Sequence, residues 1–316
     1  MSSFKKVLSA LPLPVSGVML AIASLGILLM QFFGSVLSMP YAGLLLQSFC
    51  GVVSAILWVL IVLKVVLFPA QIKAALHDPI LASVAGTFPM AMMALSVYLA
   101  ELIGEPAVYL WYAGVVFHAV LIVFFSIRFL EEPKLSQVFP SWLVVYVGIV
   151  LASITAPYFN QIFVGQICFW FGFLALIPLF PVLFVRCVRI PIPEPAKPLV
   201  CIFAAPVSII LAGYVQSFSS NVYIVSVLLA AETVVLILVL FQFPKLLKLP
   251  FYPSYAAFTF PFVVTATAYF FGIMSLVEAG FIPAGWYAVP LIIILFAALL
   301  VVYVFVRYVM VLCRVV

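Results

Sequence analysis

Long, nearly uncharged apolar runs recur along the whole chain, and they limit its possible folds more than any other feature. Only 7% of the 316 residues are charged and 69% are apolar, against about a quarter and about half in a soluble domain. A water-soluble fold cannot bury that much apolar surface. A hydrocarbon core about 30 Å thick takes roughly 20 apolar residues per helix, so each run is long enough to cross. The runs are continuous rather than alternating, which argues against a transmembrane β-barrel. The expected class is an all-α polytopic membrane protein, with residues 1–316 as a single transmembrane domain.

Gly, Pro, Asn and charges divide the runs into ten expected spans. They cover Leu13 to Phe33, Tyr41 to Val66, Ile80 to Ala100, Ala107 to Phe129 and Phe139 to Ala156. The second half holds Ile162 to Phe184, Leu199 to Ser217, Val222 to Phe243, Tyr252 to Leu276 and Gly285 to Tyr308. The first run follows Lys5 and Lys6 as a signal peptide would, yet it continues without a polar cleavage region and reads as span 1.

Placing the charges on this division puts all thirteen Lys and Arg on one side, while the opposite loops carry only Glu101, Glu105 and Glu278. By the positive-inside rule both termini are cytoplasmic, as expected for a plasma membrane protein of a bacterial inner membrane. The net charge of +5 is dispersed over short segments, not gathered in the stripe that a nucleic acid would need. Cys50, Cys168, Cys187, Cys201 and Cys313 show no CxxC spacing and read as small packing residues.

The odd-numbered spans differ from the even ones. Pro89, Pro206 and Pro261 fall inside spans 3, 7 and 9, and Pro12, Pro14 and Pro140 fall near the starts of spans 1 and 5. Pro89, Pro140, Pro206 and Pro261 recur at about the length of one helical hairpin, which suggests a fivefold hairpin repeat; Pro178, Pro181 and Pro290 interrupt that parity. An interior proline frees a backbone carbonyl, which at membrane depth must face protein or cavity water. Small and hydroxylated residues follow the same spans, as either a pore lining or a tight helix contact would require. The odd spans hold no Asp, Glu, Lys, Arg or His, so a path among them is neutral. Their N-terminal ends and the basic residues share one face, which favours anions at that mouth.

Glu232 in span 8 is the one carboxylate well inside a span, and it keeps proton coupling open as an alternative to helix pairing. His118 and His77 have no partners at metal-ligand spacing. His118 reads as a hydrogen-bonded structural residue, and His77 with Asp78 as a solvated loop or helix cap. HExxH, GxSxG and an Asp pair are all missing from the sequence, so no enzyme, cofactor or metal site is expected.

The strings Pro12–Leu13–Pro14, Phe139–Pro140–Ser141, Ala205–Pro206 and Ala257–Phe258–Thr259–Phe260–Pro261, in this order across ten spans, resemble the tellurite-resistance/dicarboxylate transporter family. That family includes TehA-type bacterial proteins and the plant guard-cell slow anion channels. The resemblance implies five helical hairpins around a central pore, odd helices inside and even helices outside. It also implies a homotrimer with one pore per subunit, and a phenylalanine gate at the position of Phe260. Helical geometry alone leaves Phe260 and Phe258 open, since residues two apart point to nearly opposite sides.

With Phe260 facing inward, the expected lining is Pro14, Gly17, Thr87, Pro89, Gly148, Ser153, Pro206, Ser208, Pro261, Val264 and Thr267. The function so read is an anion channel passing small inorganic or organic anions through a neutral pore. The alternative is a proton-coupled carrier of C4-dicarboxylates or sulfite that uses Glu232; whether tellurite is handled stays open.

Overall fold

The computed structural model describes residues 3–132 and 134–314. Every regular element among them is helical. Nine helical segments are long and apolar enough to cross a membrane: Val15–Ser35, Pro40–Leu67, Pro79–Ile103, Glu105–Leu130, Ile162–Arg189, Glu194–Ser217, Val222–Leu246, Pro253–Glu278 and Ala284–Cys313. They correspond to expected spans 1 to 4 and 6 to 10. A short helix, Ser3–Ala10, precedes them.

The fifth expected span is not one helix. It is assembled from Trp142–Tyr146, a 3-10 turn at Gly148–Val150, Leu151–Thr155 and a second 3-10 turn at Ala156–Phe159. The chain runs close to spans 3 and 4 at the interruption: a Cβ on Gly148 would stand 2.6 Å from Met90 Sδ and 3.2 Å from His118 Cε1, so a larger residue there would have to displace the Met90 side chain. The break leaves the Val145 carbonyl without a helical partner, and His118 Nε2 of span 4 donates to it at 2.9 Å. The structural role expected of His118 is therefore to repair a broken helix.

Spans 3, 7 and 9 are interrupted too, though not by kinks at interior prolines. Each restarts as a new α-helix, and the proline occupies its first turn: Pro89 in Thr87–Ile103, Pro206 in Ala205–Ser217 and Pro261 in Phe260–Glu278. There the missing N–H has no partner to lose, and the fixed φ suits helix initiation. The preceding segments are Pro79–Val84, the 3-10 stretch Glu194–Ala204 and the 3-10 turn Pro253–Phe258. Spans 2, 6 and 8 are each one α-helix, even through Pro178 and Pro181 in Ile162–Arg189 and Pro244 in Val222–Leu246, while spans 4 and 10 open with a short 3-10 turn, Glu105–Ala107 and Ala284–Tyr287, before one long α-helix.

Burial alternates in step. In spans 1, 3, 7 and 9, between 67% and 83% of the core window is buried, against 17% to 39% in spans 2, 4, 6, 8 and 10. Spans 1 and 3, 3 and 5, 5 and 7, 7 and 9, and 9 and 1 are in contact. Hydrocarbon drives such contacts weakly, so close packing and hydrogen bonds must hold them. A hydroxyl ties each pair: Ser16 with Thr87 at 2.6 Å, Ser83 to Ser141 at 2.7 Å, Ser153 to Ser217 at 2.8 Å, and Ser208 to Thr265 at 3.1 Å. Thr259 Oγ1 reaches the Gly17 carbonyl at 3.4 Å, at the outer limit of a hydrogen bond.

Candidate functional site

Two cavities follow one another along the odd spans. The larger, about 340 Å³, opens at the end where the basic residues lie. Its rim carries Asp78, Pro193, Pro195, Tyr252, Pro253 and Ser254. Deeper in, Met90, Leu143, Val147, Leu199, Ile202 and Ile209 make an apolar wall. The smaller cavity, about 30 Å³, is lined by Ser24, Gln31, Leu151, Thr155 and Tyr158, further along spans 1 and 5, and by Val264, Thr267 and Phe271 of span 9.

Phe260 lines both cavities. It opens the helix Phe260–Glu278 directly after Thr259, whose backbone (φ −108, ψ −84) breaks span 9. The Thr259 hydroxyl donates to the Ala256 carbonyl at 2.6 Å and so holds this corner. Phe260 is 7% exposed, while Phe258 is fully buried and lines neither cavity. The Phe258 ring packs against Tyr255 and Phe243 with centroids 4.6 and 5.2 Å away. Geometry thus separates two rings that periodicity left equivalent.

The other expected lining residues divide into three groups. Pro14, Gly17, Thr87, Gly148, Pro206 and Pro261 line the larger cavity, and Val264 and Thr267 the smaller. Pro89, Ser153 and Ser208 line neither. The Pro89 carbonyl lies against Gly114 of span 4, where a Cβ would come within 3.0 Å of it. Ser153 and Ser208 are used as ties between spans. Sequence reasoning missed the Leu, Ile and Met that form most of the wall, because their side chains look the same in a lining as in a core.

Charge at the rim also differs from expectation. No described Lys or Arg lines the larger cavity, whereas Asp78 does. The Asp78 carboxylate caps Pro79–Val84, accepting the Ile80 and Leu81 amides at 2.9 and 2.8 Å, so part of its charge meets a helix N-terminus. Tyr252 Oη donates to Glu194 at 2.7 Å, and the neighbouring carboxylate raises the Tyr252 phenol above its ordinary range.

Several basic residues sit in the last turns of even spans, not in loops. Lys64 Nζ donates to the Leu8 and Ser9 carbonyls and to Gln71 Oε1 at 3.1, 2.7 and 3.0 Å, tying the end of Ser3–Ala10 to span 2. Arg186 is buried with its guanidinium 4.5 Å from the Phe139 ring centroid. Glu232 is fully buried behind span 9. Thr265 Oγ1 lies 3.2 Å from its Oε1, its Oε2 has no partner, and it lines neither cavity. Among the described residues no group of three His, Cys, Asp or Glu is placed to hold a metal.

The model of the SLAC1 family, described as voltage-dependent anion channel, matches residues 11–309, which include all the spans that line the two cavities. The chain belongs to the SLAC1 family. The likeness read from the proline strings is to this same family, and membership makes the chain a membrane protein of an anion-transporting family. No curated protein matches it.

Proposed function

We propose that the chain is an anion channel in which five helical hairpins surround one conduit, odd spans inside and even spans outside, gated by Phe260. The observation that carries this reading is the ring of Phe260, the one aromatic side chain among the described residues that lines both cavities. A phenyl group across a narrow apolar tube stops ions by steric exclusion and by dewetting the passage. The contacts that run from span 1 through 3, 5, 7 and 9 back to 1 support a closed inner layer.

The broken spans have a use in such an arrangement. Non-helical backbone is tolerated at membrane depth where it lines a cavity or is buried in protein, and the interruptions fall in the spans that line these two. The substrates are small inorganic or organic anions. The working unit is a homotrimer, each subunit with its own conduit, in a plasma membrane with both termini cytoplasmic. Catalysis and a resident cofactor have no part in this reading.

A second reading, a proton-coupled carrier of C4-dicarboxylates or sulfite, draws on one observation: Glu232 is a fully buried carboxylate with an unpartnered oxygen. Its position outside both cavities favours the channel.

Planar-bilayer currents for the native protein and Phe260→Ala, under chloride or nitrate gradients without a pH gradient, separate the two. A channel reverses near the anion equilibrium potential and conducts at least tenfold more without the ring. Silence from both proteins, with pH-driven malate or sulfite uptake that is lost in Glu232→Gln, would establish the carrier and reduce Phe260 to packing.

A further inference from the structure

The small cavity beyond Phe260 holds polar atoms that the structure leaves unused. Ser24 Oγ and Gln31 Oε1 are both buried without a hydrogen-bond partner, and both residues line this chamber. They are seven residues apart on one helix and so lie on the same side of it. An unpartnered buried polar atom has lost its water and gained nothing in return. Two beside one chamber of about 30 Å³ point to an occupant, since a water needs roughly 10–15 Å³. The two threonine hydroxyls there are committed: Thr155 Oγ1 accepts Trp111 Nε1 at 2.8 Å and donates to the Leu151 carbonyl at 2.9 Å, and Thr267 donates to the Val263 carbonyl at 3.0 Å.

Two residues that line the chamber, at the ends of spans 1 and 5, are joined by one hydrogen bond. Gln31 Nε2 at the end of span 1 donates to Tyr158 Oη at the end of span 5, 2.6 Å away. A side-chain amide can turn over and keep such a bond, because a tyrosine hydroxyl both accepts and donates. Turned over, Gln31 accepts the Tyr158 proton through Oε1 and presents its N–H to the chamber. The chamber then offers two donors, this N–H and the Ser24 hydroxyl. That pair suits an anion, whereas the unturned amide suits water. No Lys or Arg lines the chamber, so binding there is weak enough for the ion to leave, as conduction requires.

We propose that this chamber is a single-occupancy resting site for a small, partly dehydrated inorganic anion, and that the Gln31–Tyr158 hydrogen bond is its outer door, in series with Phe260. The proposal rests on the conduit reading above and adds to it a second barrier and a size limit, since a C4-dicarboxylate is too large for the chamber.

The test uses Thr267→Cys, which places a thiol in the chamber and leaves Ser24 and Gln31 intact. Methyl methanethiosulfonate is applied to protein in vesicles, and the mass gained is compared with that of the parent chain and its five cysteines. The expected rate is at least fivefold slower in nitrate than in gluconate at equal ionic strength, with that protection lost in Ser24→Ala. Adding Tyr158→Phe should raise the rate at least tenfold. Equal rates in the two salts overturn the resting site, and an unchanged rate with Tyr158→Phe overturns the door.

A second measurement is independent of the thiol. Anion efflux through Phe260→Ala/Tyr158→Phe should exceed that through Phe260→Ala at least threefold, and equal efflux again overturns the door. If Phe260→Ala passes nothing while nitrate still protects, the gate reading fails and the chamber stands.

Discussion

At the scale of single residues, the charged side chain that lines the mouth of the larger cavity is a carboxylate. Asp78 lines the larger cavity, and no described Lys or Arg does. Asparagine caps a helix about as well as aspartate, so Asp78→Asn removes the charge and keeps the bonds to Ile80 and Leu81. Anion current should then rise about twofold at low ionic strength, and the gain should fade as salt shortens the Debye length from about 30 Å to about 3 Å. Conductance measured across a salt series checks this, and a gain that survives high salt would mean the side chain acts by shape instead. Residue-level roles were only partly legible beforehand. His118 is the structural histidine its isolation suggested, and Asp78 is a cap, but its place on the rim depends on loops that meet only in the folded chain. Ser153 and Ser208 looked like lining because they are polar; in hydrocarbon a hydroxyl first seeks another hydroxyl or a carbonyl, and both found one on a neighbouring span.

At the scale of elements, a proline's meaning depends on what stands before it. Pro206 and Pro261 each follow a 3-10 stretch and start a new helix, whereas Pro178 and Pro181 ride inside an unbroken one. The residue type is the same in both settings, so the sequence marked the positions without revealing the breaks. The fifth span was the least legible, because Phe139 to Ala156 reads as one mostly apolar run and the neighbours of its interruption, Met90 and His118, come from spans 3 and 4. Two substitutions separate these cases. Gly148→Leu forces a side chain into Met90 and should destabilise the fold by about 1–3 kcal/mol, as overpacking does. Pro178→Ala restores a helix donor on an exposed face and should leave anion flux unchanged within twofold. Thermal unfolding in detergent beside vesicle flux reads both, and a flux defect in Pro178→Ala alone would assign the outer helix a direct part in conduction.

At the scale of the molecule, the membrane class and nine of the ten expected spans were readable because hydropathy acts one segment at a time. The proposed inner layer was not, because it is made of pairings. The hydroxyl ties between odd spans are its joints, each expected to contribute about 0.6 kcal/mol in a membrane protein. Removing three distant ones together, in Ser83→Ala/Ser153→Ala/Ser208→Ala, should cost roughly the sum of the single losses, about 2 kcal/mol. Unfolding of the three single variants and the triple variant measures this, and a triple loss several times larger would mean the inner layer fails as a unit. The mostly exposed even spans have a consequence of their own. In the proposed arrangement they face the lipid or a neighbouring subunit, while the interrupted segments lie behind them, so the bilayer and the proposed conduit are insulated from each other. Changes in lipid thickness or in the outer apolar surface would then alter how the protein sits in its membrane, and would leave the side chains along the proposed conduit in place.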